Sequence, residues 1–285
     1  MIQKVIMPLL KPKNLILIGF VLCIVGIAMA CDLNNLALST LSKVKTITGN
    51  DVKLEKIDYS SSKAIDNSAW NTLLKKYVRE NGDVDYQGFM NEKNTLETYL
   101  EQLSENPPSK TAPRNEQMAY WINAYNAFTI KLIIDNFPVK SIKDIAGNIP
   151  MIDSPWDIKF FTISGQIFDL NTIEHEILRK DFNDPRIHFA INCASFSCPK
   201  LRNESFEATT LEAQLEEQTK TFINNPSKNN ITSNQLQVSS IFDWFKSDFT
   251  RNGSLKDFIL KYSNIQPSNT TKLVYLDYIW DLNSI

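Results

Sequence analysis

Glycine is scarce in this chain, with 8 residues in 285, and histidine is scarcer still, with 2. A phosphate-binding loop needs several closely spaced glycines, because its backbone N–H groups must approach the phosphate, and no such loop is present. Ser197 does not lie in the Gly-x-Ser-x-Gly setting that is typical of serine hydrolases. These absences argue against the usual nucleotide-binding and serine-hydrolase motifs.

An excess of basic residues is also missing, since 30 Lys and Arg stand against 32 Asp and Glu. Residues 1–30 carry three lysines and no acids, so the formal charge of the remainder moves from −2 to −5. The basic residues of that remainder are scattered among acidic ones. Nucleic acid is therefore not an expected partner.

A long uncharged apolar run occurs once, at the N-terminus. Lysines precede the run Leu15–Ala30, which is short for a stable transmembrane helix and typical of an export signal. Small residues at 28–30 suit a signal peptidase, and Cys31 follows directly. We expect 1–30 to be a signal sequence and Cys31 to be lipidated as in bacterial lipoproteins. Plain secretion and an uncleaved anchor helix remain alternatives.

All three alternatives place the body of the protein outside the cytoplasm. The expected location is the periplasm or cell envelope, with membrane attachment through the N-terminus in two of the three cases. Residues 31–66 are rich in Ser, Thr, Lys and Asp without durable periodicity, which predicts a flexible tether. Residues 67–285 are then expected to form a single domain.

Hydrophobic periodicity predicts an α+β fold in this body. One long buried helix, Arg114–Asn136, dominates the N-terminal helices, and the strands form a small mixed sheet. The other predicted helices are a segment containing Trp70 to Val78, Phe89–Leu103, Asn171–Lys180, Thr210–Asn224, Ile241–Phe249 and Leu255–Tyr262. The predicted strands are a hairpin within Trp156–Phe168, then Arg186–Asn192, Gln235–Val238 and Leu273–Ile279.

The stretch Ile187–Pro199 gathers one of the two histidines and two of the four cysteines. Cys193 is the best candidate nucleophile, because it follows a predicted strand and has only small neighbours such as Ser195. A thiol needs a base to become a thiolate, and His175 and His188 are the candidates. In a strand, His188 and Cys193 would point to opposite faces, which argues against His188 as the base for Cys193. His175 lies on the preceding predicted helix, so this argument does not apply to it.

The neighbours of these histidines have several interpretations. Glu174 is adjacent to His175 but lies about 100° around the helix, so a capping box with Asn171 is its favoured role. Asp184 or Asn192 could orient a histidine instead. The histidines could equally be structural residues that only hydrogen-bond their surroundings.

The two cysteines of this stretch have alternative roles. In an oxidising compartment Cys193 and Cys198 could pair in a disulfide. Together with His175 and His188 they could also supply four metal ligands, although the spacing matches no usual zinc pattern. We therefore expect no metal and no cofactor. A redox role remains open, although the spacing is wider than in Cys-x-x-Cys motifs.

Polar residues recur inside the long apolar helix. Glu116, Tyr120 and Asn123 stand at helical spacing, with Asn126 further around the helix. Buried amide and phenol groups must find partners, so a structural hydrogen-bond network is the favoured interpretation. The alternative is a polar pocket wall beside the Cys193 loop.

These segments resemble the family known as domain of unknown function 547. The resemblance covers about 67–283 and implies bacterial proteins that are exported or lipid-anchored, without implying a reaction. Sequences of the family end with the pattern Tyr-Asp-Trp-Ser-Leu-Asn, whereas this chain has Ile279 in place of the aspartate. If the family's aspartate orients a histidine, Asp281 is the candidate replacement here. The matching motifs are 120–127, 136–142, 173–179, 185–199 and 241–249.

A more distant likeness connects the chain to papain-like and transglutaminase-like folds, in which a long buried helix also precedes a histidine-bearing strand. In those enzymes the thiol normally opens the helix, but the long helix here contains no cysteine. The likeness implies that the nucleophile of this chain would lie in the loop after the strand.

Two functions follow as hypotheses. The first is a thiol hydrolase or acyltransferase acting on an amide or ester, with Cys193 as nucleophile, His175 or His188 as base and acid, and Asn123 or Asn192 polarising the carbonyl. The second is a non-catalytic binding or scaffold domain that is stiffened by a Cys193–Cys198 disulfide. An unknown envelope substrate or ligand is the expected partner in either case.

Overall fold

The computed structural model describes residues 64–146, 154–268 and 271–285, which all lie in one compact unit, Asn50–Ile285. The α+β class is confirmed, because these residues form helices and two small sheets. The predicted signal sequence, Cys31 and nearly all of the predicted tether lie outside the described residues. Within the described ranges, no helix is long and apolar enough to cross a membrane.

In the part of the chain that the structure describes, three helices precede the long one. They are α1 (Ser68–Tyr77), α2 (Tyr86–Asn91) and α3 (Lys93–Glu105). The segment predicted as one helix, Phe89–Leu103, is thus divided between α2 and α3. The division falls at Glu92, whose backbone leaves the helical region and whose carboxylate accepts a hydrogen bond from Tyr77.

The long helix α4 (Arg114–Asn136) has the predicted bounds and is buried along most of its length. The Phe-Pro pair that follows ends it, because the residue before a proline avoids the helical region. The ring of Phe128 stacks on Phe161 at 3.8 Å. This contact fastens α4 to the predicted hairpin, whose strands are β1 (Phe161–Ile163) and β2 (Gln166–Phe168).

The helix after the hairpin differs from its prediction. A short helix, α5 (Lys143–Ala146), precedes the hairpin. After the hairpin the chain forms a π-helix, Thr172–Leu178, which continues directly as the α-helix α6 (Arg179–Phe182). The predicted capping box of Asn171 and Glu174 is wrong, because Asn171 already has helical dihedral angles and makes no cap bond. Asp169 caps the helix instead, accepting a hydrogen bond from the Thr172 backbone at 2.7 Å.

The predicted strand Arg186–Asn192 is also wrong. The chain forms a 3-10 helix, Pro185–Phe189, which Asp184 caps by accepting a hydrogen bond from the Arg186 backbone. Proline at the first position favours this helical start, because its fixed φ matches that of a helix and it has no N–H to satisfy. The alternation argument that separated His188 from Cys193 therefore does not apply.

The C-terminal part contains the mixed sheet. Helix α7 (Leu211–Ile223) precedes β3 (Asn230–Ile231) and β4 (Leu236–Ser239). Strand β4 pairs antiparallel with β3 and parallel with β5 (Leu273–Leu276), which is shorter than predicted. The segment predicted as one helix, Ile241–Phe249, consists of α8 (Ile241–Trp244) and α9 (Lys246–Phe249), and α10 is Leu255–Tyr262.

Buried side chains form two hydrophobic cores. The first core contains α4, the N-terminal helices and the hairpin, and the second contains the mixed sheet with α8, α9 and α10. The 3-10 helix Pro185–Phe189 joins them, because Ile187 packs in the first core and Phe189 in the second. Side chains from this helix therefore lie where the two cores meet.

Candidate functional site

A pocket of about 190 Å³ lies between residues of the two cores. Tyr125 of α4 contributes to one wall and Ile241 of α8 to another, and both cysteines of the 193–198 loop reach it. Apolar lining dominates, with a few convergent polar groups, which is typical of ligand sites. The remaining lining residues are Trp156, Asn171, Glu174, His175, His188, Ile191, Pro199, Trp244, Phe245, Tyr278 and Trp280.

The half-buried Cys193 occupies the start of a tight loop. Its sulfur lies 3.2 Å from the Ser195 hydroxyl and 3.2 Å from the Tyr278 hydroxyl. Those two hydroxyls are themselves 3.0 Å apart, so the three groups form a closed triangle. The next residue, Ala194, has a φ of 59°, a left-handed conformation that costs a residue with a Cβ about 1 kcal/mol. The loop geometry thus holds the sulfur against two hydroxyl groups, with Ser195 donating to Tyr278.

Cys193 and Cys198 form a disulfide, with their Cα atoms 6.2 Å apart. Cys198 is buried, and its sulfur accepts a hydrogen bond from the Cys193 backbone N–H at 2.8 Å. In this state Cys193 has no free thiol. The two sulfurs nevertheless differ, since one is half-buried beside hydroxyls and the other is enclosed.

His188 is 3% exposed and lies flat against Phe245, with ring centroids 3.9 Å apart. Its Nε2 is 2.8 Å from a carboxylate oxygen of Asp248. Burial lowers the pKa of His188 to about 4, although the Asp248 contact acts in the opposite direction. The neutral ring therefore donates from Nε2, and its Nδ1, which has no hydrogen-bond partner among the described residues, is an acceptor.

Asp248 is held by two arginines as well as by His188. Arg179 Nε and an Arg251 guanidinium nitrogen each lie 2.7 Å from its carboxylate. Burial opposes ionisation, but the bonds from His188 and Arg179 hold the pKa of Asp248 below its usual range. A charged carboxylate thus orients the imidazole from the side opposite Nδ1.

The residues expected to orient a histidine do not do so. Asp184 binds Arg186, and the Asn192 side chain binds the backbone of Pro199 and Ala194. The carbonyl of Asp281 accepts a hydrogen bond from the Phe196 backbone, 2.7 Å away. Asp248 lies in the motif 241–249, but the sequence does not identify it as a site residue, because nothing in its spacing connects it with a histidine 60 positions earlier.

Glu174 lines the pocket and is 7% exposed. One carboxylate oxygen accepts a hydrogen bond from Tyr125 at 3.3 Å, and the other lies 4.0 Å from Nδ1 of His188. Burial raises the pKa of Glu174 to about 7. The carboxyl group can therefore exchange a proton near neutral pH, opposite the unpartnered nitrogen of His188.

His175 also lines the pocket, on the turn that precedes Arg179. Its Nδ1 is 2.9 Å from an Arg179 guanidinium nitrogen, so this ring nitrogen is an acceptor. Burial and the positive charge of Arg179 both lower the pKa of His175. In the described part of the chain, the side-chain hydrogen-bond partners of the Cys193 sulfur are the two hydroxyls, and neither imidazole is among them.

The polar residues of α4 lie elsewhere and bind backbone groups. Asn123 exchanges two hydrogen bonds with Phe206, and Asn126 accepts from the Asn192 backbone and donates to Ala190. Tyr120 donates to the Leu103 carbonyl at 2.5 Å. Glu116 is a half-buried acid in the first turn of the helix. Of the helix residues, Tyr125, which received no prediction, is the one that lines the pocket.

Aromatic rings and a returning segment of chain frame the cysteine loop. The rings of Tyr278 and Trp280 are 4.5 Å apart, and Trp244 lies 4.7 Å from Tyr278 while remaining 48% exposed. Backbone bonds join this segment to the loop, from Phe196 to Asp281 and from Ser197 to Ile279. The position of the Tyr278 hydroxyl is thus fixed by pairing between distant parts of the chain.

The four-ligand metal arrangement, which the sequence offers only as an alternative, is not assembled. Two of its members, Cys193 and Cys198, are joined to each other. Throughout residues 64–146, 154–268 and 271–285, no three His, Cys, Asp or Glu side chains are grouped as metal ligands.

Residues 108–223 match the model of the family described as "Protein of unknown function, DUF547". The resemblance is therefore confirmed over this segment, which contains α4, both histidines and both pocket cysteines. Asp248 and Tyr278 lie beyond the matched residues. No curated protein and no solved structure matches the chain.

Proposed function

We propose that this protein is an exported, lipid-anchored envelope enzyme that cleaves or transfers an acyl group from an amide or ester. In the reduced protein the Cys193 sulfur would be the nucleophile. The observation that carries the proposal is the convergence of this sulfur, an oriented His188 and an ionisable Glu174 on one pocket. Pockets in which a nucleophile meets groups with shifted pKa values are candidates for active sites.

The chemistry divides into two steps. The thiol proton passes to a pocket base as sulfur bonds to the carbonyl carbon, and the amine or alcohol leaves with a proton from the same base. Water then releases the acid in a hydrolase, or a second nucleophile takes the acyl group in a transferase. His188 suits the role of base, because Asp248 holds its Nε2 and leaves Nδ1 free to accept a proton.

Hydroxyl donors near the sulfur support the first step. Tyr278 and Ser195 can both donate to a thiolate, and such donation stabilises the charged form. His175 is the less suitable base, because its Nδ1 already accepts from Arg179. Asn123 and Asn192 are less suited to polarise the carbonyl, since their side chains bind backbone groups.

Labelling of the reduced, folded protein tests the nucleophile. We expect iodoacetamide to alkylate Cys193 at least ten-fold faster than Cys198, since Cys193 is half-buried and Cys198 enclosed. A panel of activated esters and amides should then show turnover that Cys193→Ser abolishes and that Ser227→Ala, an exposed control, leaves intact. Turnover that survives Cys193→Ser would overturn the proposal.

The envelope location has its own test. A fatty-acid probe fed to expressing bacteria should label the wild-type chain, and Cys31→Ala should lose the label and leave the membrane fraction. An unlabelled protein in the medium would indicate plain secretion. A membrane-bound protein without label would indicate an uncleaved helix.

The disulfide favours a second candidate, a binding or scaffold domain in which Cys193 never acts as a thiol. The mass of the intact protein before and after reduction detects the bond. If reduction lowers the thermal midpoint sharply and yields no turnover on any ester or amide, the bond is structural and this second function is the better one.

A further inference from the structure

We infer that the Cys193–Cys198 bond is an exchangeable disulfide, which takes two electrons from exposed thiols through a mixed disulfide on Cys193. This activity goes beyond acyl transfer and does not depend on it. Two independent observations carry the inference. The two sulfurs differ in access, and each has hydrogen-bond donors placed to stabilise its reduced form.

Access decides which sulfur is attacked. Cys193 is half-buried and lines the pocket from the loop, whereas Cys198 is 4% exposed. An incoming thiolate must approach one sulfur along the axis of the bond, so the more accessible sulfur reacts and the enclosed one leaves. The pocket therefore directs the incoming thiol to Cys193.

The leaving sulfur has a donor in place. The Cys193 backbone N–H points at the Cys198 sulfur at 2.8 Å. When the bond breaks, negative charge appears on this sulfur, and hydrogen bonding to the charged form stabilises it. A leaving thiol with a lowered pKa departs faster.

The attacked sulfur also has donors. The Ser195 and Tyr278 hydroxyls, each 3.2 Å from the Cys193 sulfur, can donate to its thiolate once reduction is complete. Stabilisation of the reduced form makes a disulfide a stronger oxidant. In the disulfide form Ser195 donates to Tyr278, so the Tyr278 hydroxyl and the Cys193 N–H are the donors that face the two sulfurs. A bond that served only to close the loop would gain nothing from these donors.

The exchange balances in two steps. A thiolate RS⁻ bonds to the Cys193 sulfur, the Cys193–Cys198 bond breaks, and Cys198 leaves as a thiolate. A second thiolate then attacks the R sulfur of the mixed disulfide and releases Cys193 as a thiolate with RSSR as product. Two thiols are oxidised and one protein disulfide is reduced. The reductant is any small or protein thiol that can enter the pocket.

Trapping the mixed disulfide tests the first step. Each full-length single variant is reduced, freed of reductant and incubated with oxidised glutathione. We expect Cys198→Ser to gain a glutathione adduct on Cys193 at least ten-fold faster than Cys193→Ser gains one on Cys198. Peptide mapping assigns each adduct, because Cys23 and Cys31 also carry thiols in the full chain. Equal rates, or no adduct on Cys193, would overturn the inference.

The equilibrium between the oxidised and the reduced protein tests whether the hydrogen-bond donors stabilise the thiolates. Wild-type protein held in mixtures of reduced and oxidised glutathione should open its disulfide while its circular dichroism stays native. In Tyr278→Phe the equilibrium constant for reduction should fall about ten-fold, because one hydrogen bond to a thiolate is lost. Ser227→Ala serves as the exposed control. A bond that reduced glutathione opens only when urea unfolds the chain would be structural, and the inference would fail.

These outcomes are separable from those for acyl transfer. Exchange is measured without any ester or amide, so a protein that forms the adduct but turns over no acyl substrate supports the disulfide activity alone. A reduced protein that hydrolyses esters but forms no glutathione adduct on Cys193 supports acyl transfer and contradicts the disulfide activity.

Discussion

The buried amides of the long helix and the buried acid–base groups of the pocket differ in how fully their hydrogen-bonding atoms are used. Asn123 and Asn126 each place both ends of the side chain on backbone groups of segments far along the chain. In the pocket, Nδ1 of His188 has no partner in the described structure, and Glu174 faces it across 4.0 Å. Both sets are almost completely buried.

The difference separates structural polar groups from groups available for chemistry. A fully bonded amide fixes the docking of α4 and has nothing left to offer a ligand. The unpartnered Nδ1 of His188 and the buried carboxyl of Glu174, whose pKa is about 7, both lower the stability of the folded protein. Their presence in a cavity therefore marks them as candidates for function.

Removal of the Asp248 carboxylate is expected to have the largest effect. Asp248→Ala leaves Arg179 and the His188 ring without their buried partner, which should lower the free energy of unfolding by about 3–5 kcal/mol. Urea denaturation at pH 7 measures the change. Asp281→Ala is the matched control and should change it by less than about 0.5 kcal/mol. Comparable losses would show that Asp281 also orients the site.

Removal of one structural amide should cause the second-largest loss in the free energy of unfolding. Asn126→Ala strands the Asn192 N–H and the Ala190 carbonyl in the core, and we expect a loss of about 3 kcal/mol. Asn94→Ala, on the exposed face of α3, should be nearly neutral under the same urea titration. If the two variants proved equally stable, the α4 network would not be structural.

Neutralising the pocket acid should stabilise the protein in one pH range. The folded-state pKa of Glu174 is raised to about 7, so its stabilising contribution is lost as the pH rises through that value. We expect Glu174→Gln to raise the free energy of unfolding by up to about 3 kcal/mol at pH 8 and to leave it almost unchanged at pH 4.

Glu176→Gln provides the control for that experiment, because Glu176 is exposed and lies only two positions from Glu174. Its profile should run parallel to that of the wild type at both pH values. A Glu174→Gln variant that is destabilised at pH 8 would show that the ionised carboxylate is a structural group, as the amides of α4 are.

The smallest effect is expected in the hydroxyl triangle. Ser195→Ala removes one hydrogen bond to Tyr278, and the expected loss is about 1 kcal/mol in the oxidised protein. The thermal midpoint measures it, with Ser227→Ala as the exposed comparison. A loss as large as that of Asn126→Ala would place this triangle among the structural groups.

Much of the fold could be predicted from local sequence patterns. The bounds of α4, α7 and α10 follow from apolar spacing and from terminators such as Phe137–Pro138, which act within one or two turns. The π-helix at Thr172–Leu178 and the 3-10 helix at Pro185–Phe189 were not predicted. Their windings depend on caps and tertiary packing rather than on a hydrophobic period.

The site was predicted in part. Scarcity of residue types located Cys193, His175 and His188, and all three line one pocket. Asp248 and Tyr278 were missed as site residues, because carboxylates and phenols are common and only long-range folding brings Asp248 to His188 and Tyr278 to the pocket. The capping role predicted for Glu174 was wrong, because Asn171 already has helical dihedral angles, and the Glu174 side chain lines the pocket instead.

The returning segment 278–283 determines when the cysteine loop can take its final shape. Ile279 and Ser197 bond to each other although they are 82 positions apart, and Asn283 bonds to Ala194. Contacts of such separation close large loops and tend to form late in folding. We therefore expect both thiols of the loop to stay accessible to external oxidants until late in folding, when the segment containing Tyr278 packs against them.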